Sequence, residues 1–391
     1  MAGPEERLGE RALQILARLV AFDTTSHLSN LALIDWVERY LAEHGVAARR
    51  IASADGAKAN LLATVGPAVE GGVVLSGHTD VVPVAGQAWS SDPFALTERD
   101  GRLYGRGSAD MKGFIALALA AVPDMLAAPL KRPAHLALSY DEEIGCFGAP
   151  AMISVIAREL PRPALVIVGE PTSMEVISAH KGIAVWRVTV TGHEAHSAQT
   201  HLGVSAVMTA ARLMAALVEI ADRLERDAHP GSPFEPKGAT LTIGTVAGGT
   251  AGNILARECV FQFDLRDLPG ADARAELAGF FDLARRLDGE IKTRAPEGGV
   301  AIEQLADVPA LAAEEANPAE AFARRLAGDN GPRRAVAFAS EAGQFQHAGF
   351  PAVLCGPGAI DQAHQPDEYV DITQLQRGAA FMARLIEALG D

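Results

Sequence analysis

His78 and His364 stand among acidic side chains at the ends of apolar runs in this 391-residue sequence. Imidazole and carboxylate without thiolate is the donor mix of an open, catalytic zinc site rather than a closed structural one. Ser76-Gly77-His78-Thr79-Asp80 follows the run Val73 to Leu75. His78 is a candidate ligand there. Asp80, two residues on in an extended segment, points to the same side and is placed to accept the second imidazole N–H.

Four more segments share this setting. Gly105-Arg106-Gly107-Ser108-Ala109-Asp110 leads into an apolar helical stretch, so Asp110 is either a ligand or a helix N-cap. Asp141-Glu142-Glu143 follows His135 to Ser139 and is either a solvated turn or a pair dividing metal binding from proton transfer. Gly169-Glu170 closes the apolar run Leu165 to Val168, an odd place for a surface glutamate. Ala363-His364-Gln365-Pro366-Asp367-Glu368-Tyr369 follows Gly356-Pro357-Gly358. Each segment has a plain alternative, but all five fall where strands of one α/β body end, which is where open sheets bind ligands.

The elements that must hold these side chains are readable from periodicity. Glu5 to Phe22 and Leu31 to His44 have helical spacing, with Gly45 as a stop. Short β-branched runs at Asn60 to Val65, Val73 to Ser76, His135 to Ser139 and Leu165 to Val168 alternate with helices at Phe114 to Leu126 and Ala149 to Glu159, which predicts a largely parallel α/β sheet. From Lys181 the order becomes strand (Ile183 to Thr191), helix (Val204 to Leu224), strand (Thr240 to Val246), strand (Glu258 to Leu265), helix (Asp272 to Leu287) and a strand near Ala301, the order of a ferredoxin-like α+β unit. Helix, strand and helix then close the chain at Pro318 to Leu326, Ala352 to Cys355 and Thr373 to Leu389. The expected organisation is a body of residues 1–180 and 309–391 split by an inserted domain of residues 181–308.

Composition excludes several classes. A net charge of −15, from 34 basic and 49 acidic residues, gives no basic face for nucleic acid. Cys146, Cys259 and Cys355 lie far apart, so neither a disulfide framework nor a thiolate metal site is indicated, and a reducing cytoplasm is expected. The longest apolar run, Phe114 to Val122, is too short for a membrane span, and Met1 to Val20 has no pattern of a leader.

The chain resembles the co-catalytic zinc deacylase and exopeptidase family, which holds acetylornithine deacetylases, succinyl-diaminopimelate desuccinylases, aminoacylases and carboxypeptidase G-type enzymes. All five segments occur in the family's order. The resemblance implies a zinc-exopeptidase-like body, a mixed and mostly parallel sheet flanked by helices, with the inserted domain acting as lid and dimerisation module of a homodimer. It implies two Zn2+ per subunit, with Co2+ or Mn2+ as substitutes, and amide hydrolysis by a water bound at the metals. His78 and Glu170 would bind the first zinc, Glu143 and His364 the second, and Asp110 would bridge them, usually with a cis peptide to Met111. Asp80 would orient His78, and Glu142 would be the general base.

The resemblance extends into the inserted domain. His196, in Gly192-His193-Glu194-Ala195-His196, would reach across the dimer to the oxyanion, its alternative being a cap on the strand-to-helix turn. Asn253 and Arg266 would hold the substrate α-carboxylate, with a surface salt bridge as the alternative for Arg266. Cys355-Gly356-Pro357-Gly358 and Gln362 to Val370 are most similar to the acetylornithine deacetylase branch, which implies N2-acetyl-L-ornithine as substrate and a place in arginine biosynthesis. Its side-chain ammonium favours a carboxylate in the pocket, and Glu341 in Ser340-Glu341-Ala342-Gly343 is the expected one. A desuccinylase, another N-acyl amino acid deacylase, and a catalytically dead scaffold of the same fold are the alternatives. Hinge motion is expected near Lys181 and Pro309.

Overall fold

The computed structural model describes residues 3–391; Met1 and Ala2, the start of the segment read for a leader, lie outside them. The chain forms two compact units, one of residues up to 179 with 311–334 and 340–391, the other of residues 180–310 and 335–339. Residues 335–339 fall in the expected closing segment of the body but group with the second unit, where the Lys181 N–H donates to the Val336 carbonyl at 3.3 Å.

The first unit is built on a sheet whose strands run in the order Ala48–Ala52, Ala59–Val65, Ala134–Ser139, Val73–His78, Leu165–Val168, Ala352–Leu354 and Ile177–His180. The central strands Ala134–Ser139, Val73–His78, Leu165–Val168 and Ala352–Leu354 run parallel, and pairing turns antiparallel on both sides of them. Their near-continuous apolar residues are buried, as a sheet covered on both faces requires. The helix Lys112–Ala127 is buried along almost its whole length, so it is apolar all round rather than amphipathic. Helices Pro4–Val20 and Ile372–Gly390, by contrast, each bury one apolar stripe in the same core.

A small sheet of Tyr369–Asp371, Arg102–Tyr104 and Thr97–Arg99, three residues per strand, adjoins the glycine-rich loop before Asp110. Among the described residues no helix is long and apolar enough to cross a membrane.

The second unit has its own sheet in the order Thr240–Gly248, Glu258–Arg266, Ile183–Thr191 and Gly299–Val308, antiparallel throughout. With helices Ala206–Arg226 and Ala278–Arg294 the chain order is strand, helix, strand, strand, helix, strand, the ferredoxin-like arrangement. Alternation along Ile183–Thr191 turns Ala184, Trp186, Val188 and Val190 into the core, where Phe261, Phe263 and Phe280 join them.

Candidate metal centre

Register fixes the site. Within the parallel strands Ser76 is opposite Val168 and His78 opposite Ser139, so the chain leaves all three strands at one edge of the sheet. His78, the Asp141–Glu143 turn and Glu170 therefore emerge side by side, and the glycine-rich loop delivers Asp110 to the same place. The Asp110–Met111 peptide is cis.

His78 Nε2 lies 3.0 Å from Asp110 Oδ1. The other oxygen of Asp110 lies 3.4 Å from His364 Nε2, which is 3.0 Å from Glu143 Oε2. Two groups result whose donor atoms lie within 4.8 Å of one another: His78, Asp110 and Glu170, and Asp110, Glu143 and His364. Asp110 belongs to both. Glu142 belongs to neither; it stands beside them and accepts from the Cys146 thiol at 3.3 Å.

Asp80 works differently from the sequence expectation. The Nδ1 of His78 is 2.9 Å from the main-chain oxygen of Asp80 and 3.6 Å from its carboxylate. The Asp80 carboxylate is taken up elsewhere: it accepts from the Ser26 hydroxyl at 2.7 Å and from the backbone N–H groups of Glu142 and Glu143 at 3.1 and 3.3 Å. It thereby fixes the turn that carries the two glutamates as well as the loop that carries His78.

The electrostatics point to missing positive charge. Burial, with the neighbouring carboxylates, pushes Glu142 up to about 8 and Glu143 up to about 7, and raises Glu170 well above the carboxylate range. Burial acts against the His78 imidazolium, but the hydrogen bond to Asp110 and the surrounding acids lift it well above its ordinary value. Hydrogen bonds to Asp110 and Glu143 raise His364 to about 10. Glu143 Oε1 and Glu170 Oε1 are buried without a hydrogen-bond partner. Such oxygens are costly unless a cation or donor meets them, so this donor set fits divalent metal.

The second unit presents the other candidates. The bridge between His196 and Ile254, with the Ser197 N–H donating to the Asn253 carbonyl at 2.9 Å, brings His196 and Asn253 together, both exposed. Arg266 closes the strand Glu258–Arg266, whose other end lies nearest Asn253, and its Nε is 3.4 Å from Asp264. A strand of nine residues spans roughly 27 Å at about 3.4 Å per residue, so Asn253 and Arg266 lie at opposite ends of the sheet.

Glu341 does not stand where the expected substrate contact would need it. It is fully buried, one carboxylate oxygen accepting from Ser76 and the other from Ser139 at 2.8 Å. The expected role as recogniser of a substrate ammonium is corrected accordingly: its charge is spent between two strands of the central sheet.

The profile of peptidase family M20/M25/M40 matches residues 74–388. An acetylornithine deacetylase of Proteus mirabilis is 34% identical over 380 residues, covering 96% of this chain and 95% of that one. One from Myxococcus xanthus is 36% identical over 385 residues, covering 95% of each. Among solved structures, the M20 metallo-carboxypeptidase Sso-CP2 of Sulfolobus solfataricus superposes with a TM-score of 0.76 at 17% identity, covering 97% of this chain and 99% of that one. YXEP of Bacillus subtilis, described as a dinuclear metal-binding peptidase of the M20 family, superposes with a TM-score of 0.64 at 15% identity, with 97% and 99% covered.

Proposed function

The chain belongs to peptidase family M20/M25/M40, a family of metal-dependent hydrolases, and from that premise we propose that it hydrolyses N2-acetyl-L-ornithine to L-ornithine and acetate at two zinc ions. The observation that carries the hydrolytic part is Asp110 shared between two three-residue ligand groups, with Glu142 beside both. The substrate rests on the acetylornithine deacetylases that match this chain along nearly its whole length.

His78 and Glu170 would hold one ion, Glu143 and His364 the other, and Asp110 both. Zinc there, or cobalt or manganese in its place, would polarise the acyl carbonyl and bring the pKa of a water toward neutrality. Glu142 takes the proton as the water oxygen bonds to the acyl carbon, and returns it to nitrogen as the C–N bond breaks. The products are acetate and the free amine. His196 donates a hydrogen bond to the former carbonyl oxygen as negative charge collects there.

The separation of Asn253 from Arg266 supports a homodimer. One carboxylate cannot be held by two residues about 27 Å apart on one sheet, but it can be held by Arg266 of one subunit and Asn253 of the partner subunit, with His196 arriving alongside that asparagine. The second unit also offers a surface for pairing. The strand Thr240–Gly248 is a sheet edge with Val246 59% exposed, and Met208 on the helix Ala206–Arg226 is 69% exposed.

Turnover of N2-acetyl-L-ornithine, N-acetyl-L-leucine and N-succinyl-LL-diaminopimelate by the metal-loaded protein, measured side by side, tests the substrate. We expect kcat/KM highest for acetylornithine; a higher value for the succinyl substrate would replace this reading with desuccinylation.

A further inference from the structure

Glu368 lies four residues beyond His364, and none of the roles above uses it. It is 1% exposed, yet its carboxylate meets four donors. Oε2 accepts from Arg106 Nη1 at 2.6 Å and from the Gly107 N–H at 3.0 Å. Oε1 accepts from the N–H groups of Ala109 and Asp110 at 2.9 and 3.1 Å. Its own carbonyl accepts from the Gly105 N–H at 2.9 Å, extending the pairing of Tyr369 with Tyr104 in the three-stranded sheet. The whole loop from Gly105 to Asp110 is thus wrapped around one side chain.

The same network runs on to His364. Arg106 Nη2 donates to Gln87 Oε1 at 2.6 Å, and Gln87 Nε2 donates to the carbonyl of His364 at 2.9 Å. Asp367 Oδ1 accepts from the Ser90 N–H at 2.8 Å. These ties matter because His364 and Asp367 both have left-handed backbone angles, φ 63° and 56°, which non-glycine residues hold only when their surroundings impose them. Half-exposed His364 has little packing of its own to fix it.

We propose that Glu368, through Arg106 and Gln87, is the positioning residue that sets Asp110 and His364 at the spacing needed to close the second ligand group with Glu143. The inference rests on the two-metal reading above and deepens it. A carboxylate is required because its two oxygens each serve two donors, and a carboxamide would turn an N–H2 group toward one of those pairs. Arg106 has a complementary requirement, since its buried guanidinium needs the charge opposite.

The test is a titration of metal-free full-length chain with Co2+, followed by visible absorption, with circular dichroism to verify folding. In Glu368→Gln we expect the equivalent that depends on both Asp110 and His364 to weaken by roughly 10–100-fold, the range seen when a ligand's supporting partner is removed, and the other, which shares only Asp110, to weaken distinctly less. A merely structural role would weaken both equivalents alike; that result, or no change in either, overturns the proposal. Gln87→Leu cuts the strap to His364 without unpairing a buried charge and is judged by the same criterion if Glu368→Gln does not fold. A wild-type chain that takes up a single equivalent contradicts the two-metal reading itself, which separates that failure from this one.

Discussion

The Asp80 carboxylate accepts the backbone N–H of Glu142 at 3.1 Å, while the same residue's carbonyl sits 2.9 Å from His78 Nδ1. One residue thus ties His78 to Glu142. Its side chain serves the glutamate turn and its main chain serves the imidazole.

Asp80→Asn therefore has a specific expected effect. The amide would present N–H2 either to the N–H of Glu142 or to the Ser26 hydroxyl and the N–H of Glu143, displacing the turn while leaving the carbonyl at His78 in place. We expect kcat to fall by roughly 10–100-fold, with metal bound by His78, Asp110 and Glu170 retained. Metal analysis beside steady-state kinetics separates this from loss of His78 orientation, which would release metal.

A shared site between subunits can be read by mixing two inactive variants. Glu142→Gln and His196→Ala should each lose roughly 10²–10³-fold or more in kcat. If His196 serves the neighbouring subunit, a mixed dimer carries one site with both residues intact, so random re-association restores about a quarter of the sites. Action within one chain would restore nothing, and that outcome would remove the trans assignment.

His135 gives a pH test of folding outside the metal centre. It is 1% exposed, with Nδ1 2.9 Å from the Thr64 hydroxyl and Nε2 without a partner, and burial pulls its pKa down to about 4. The unfolded chain, titrating near 6.5, binds this proton more readily than the folded one. Stability from neutral His135 is therefore complete above about pH 6.5 and is lost as pH falls toward 4, by at most about 3 kcal/mol. Chemical denaturation of wild type and His135→Leu should give a difference in unfolding free energy that shifts across that window; a pH-independent difference would contradict it.

Much of this arrangement is legible in the amino-acid sequence. The helix Ala149–Glu159 and the strand Leu165–Val168 match the sequence reading residue for residue, the helix through the spacing of its apolar side chains and the strand as an unbroken, fully buried apolar run. The segments that carry His78, Asp110, Glu143, Glu170 and His364 are equally visible, and the structure brings these side chains together. What the sequence hides is whatever depends on distant pairing. Thr97–Arg99, Arg102–Tyr104 and Tyr369–Asp371 are too short to show any period, yet they bring Glu368 to Ala109, 259 residues earlier in the chain.

Glu341 and Asp80 show the same limit at the level of side chains. Nothing in Ser-Glu-Ala-Gly distinguishes a buried carboxylate from one facing a substrate, and only the positions of Ser76 and Ser139 reveal which it is. The distance between Asn253 and Arg266 likewise follows from strand register, which motif spacing does not contain.

The most direct measurement compares hydrolysis of N2-acetyl-L-ornithine by wild type and Glu142→Gln, both loaded with zinc and assayed for metal content. We expect two metal ions per chain in each protein, rapid release of ornithine by the wild type, and a rate at least ~10²-fold lower in the variant. Hydrolysis by Glu142→Gln at the wild-type rate would contradict the assignment of Glu142 as base in this site.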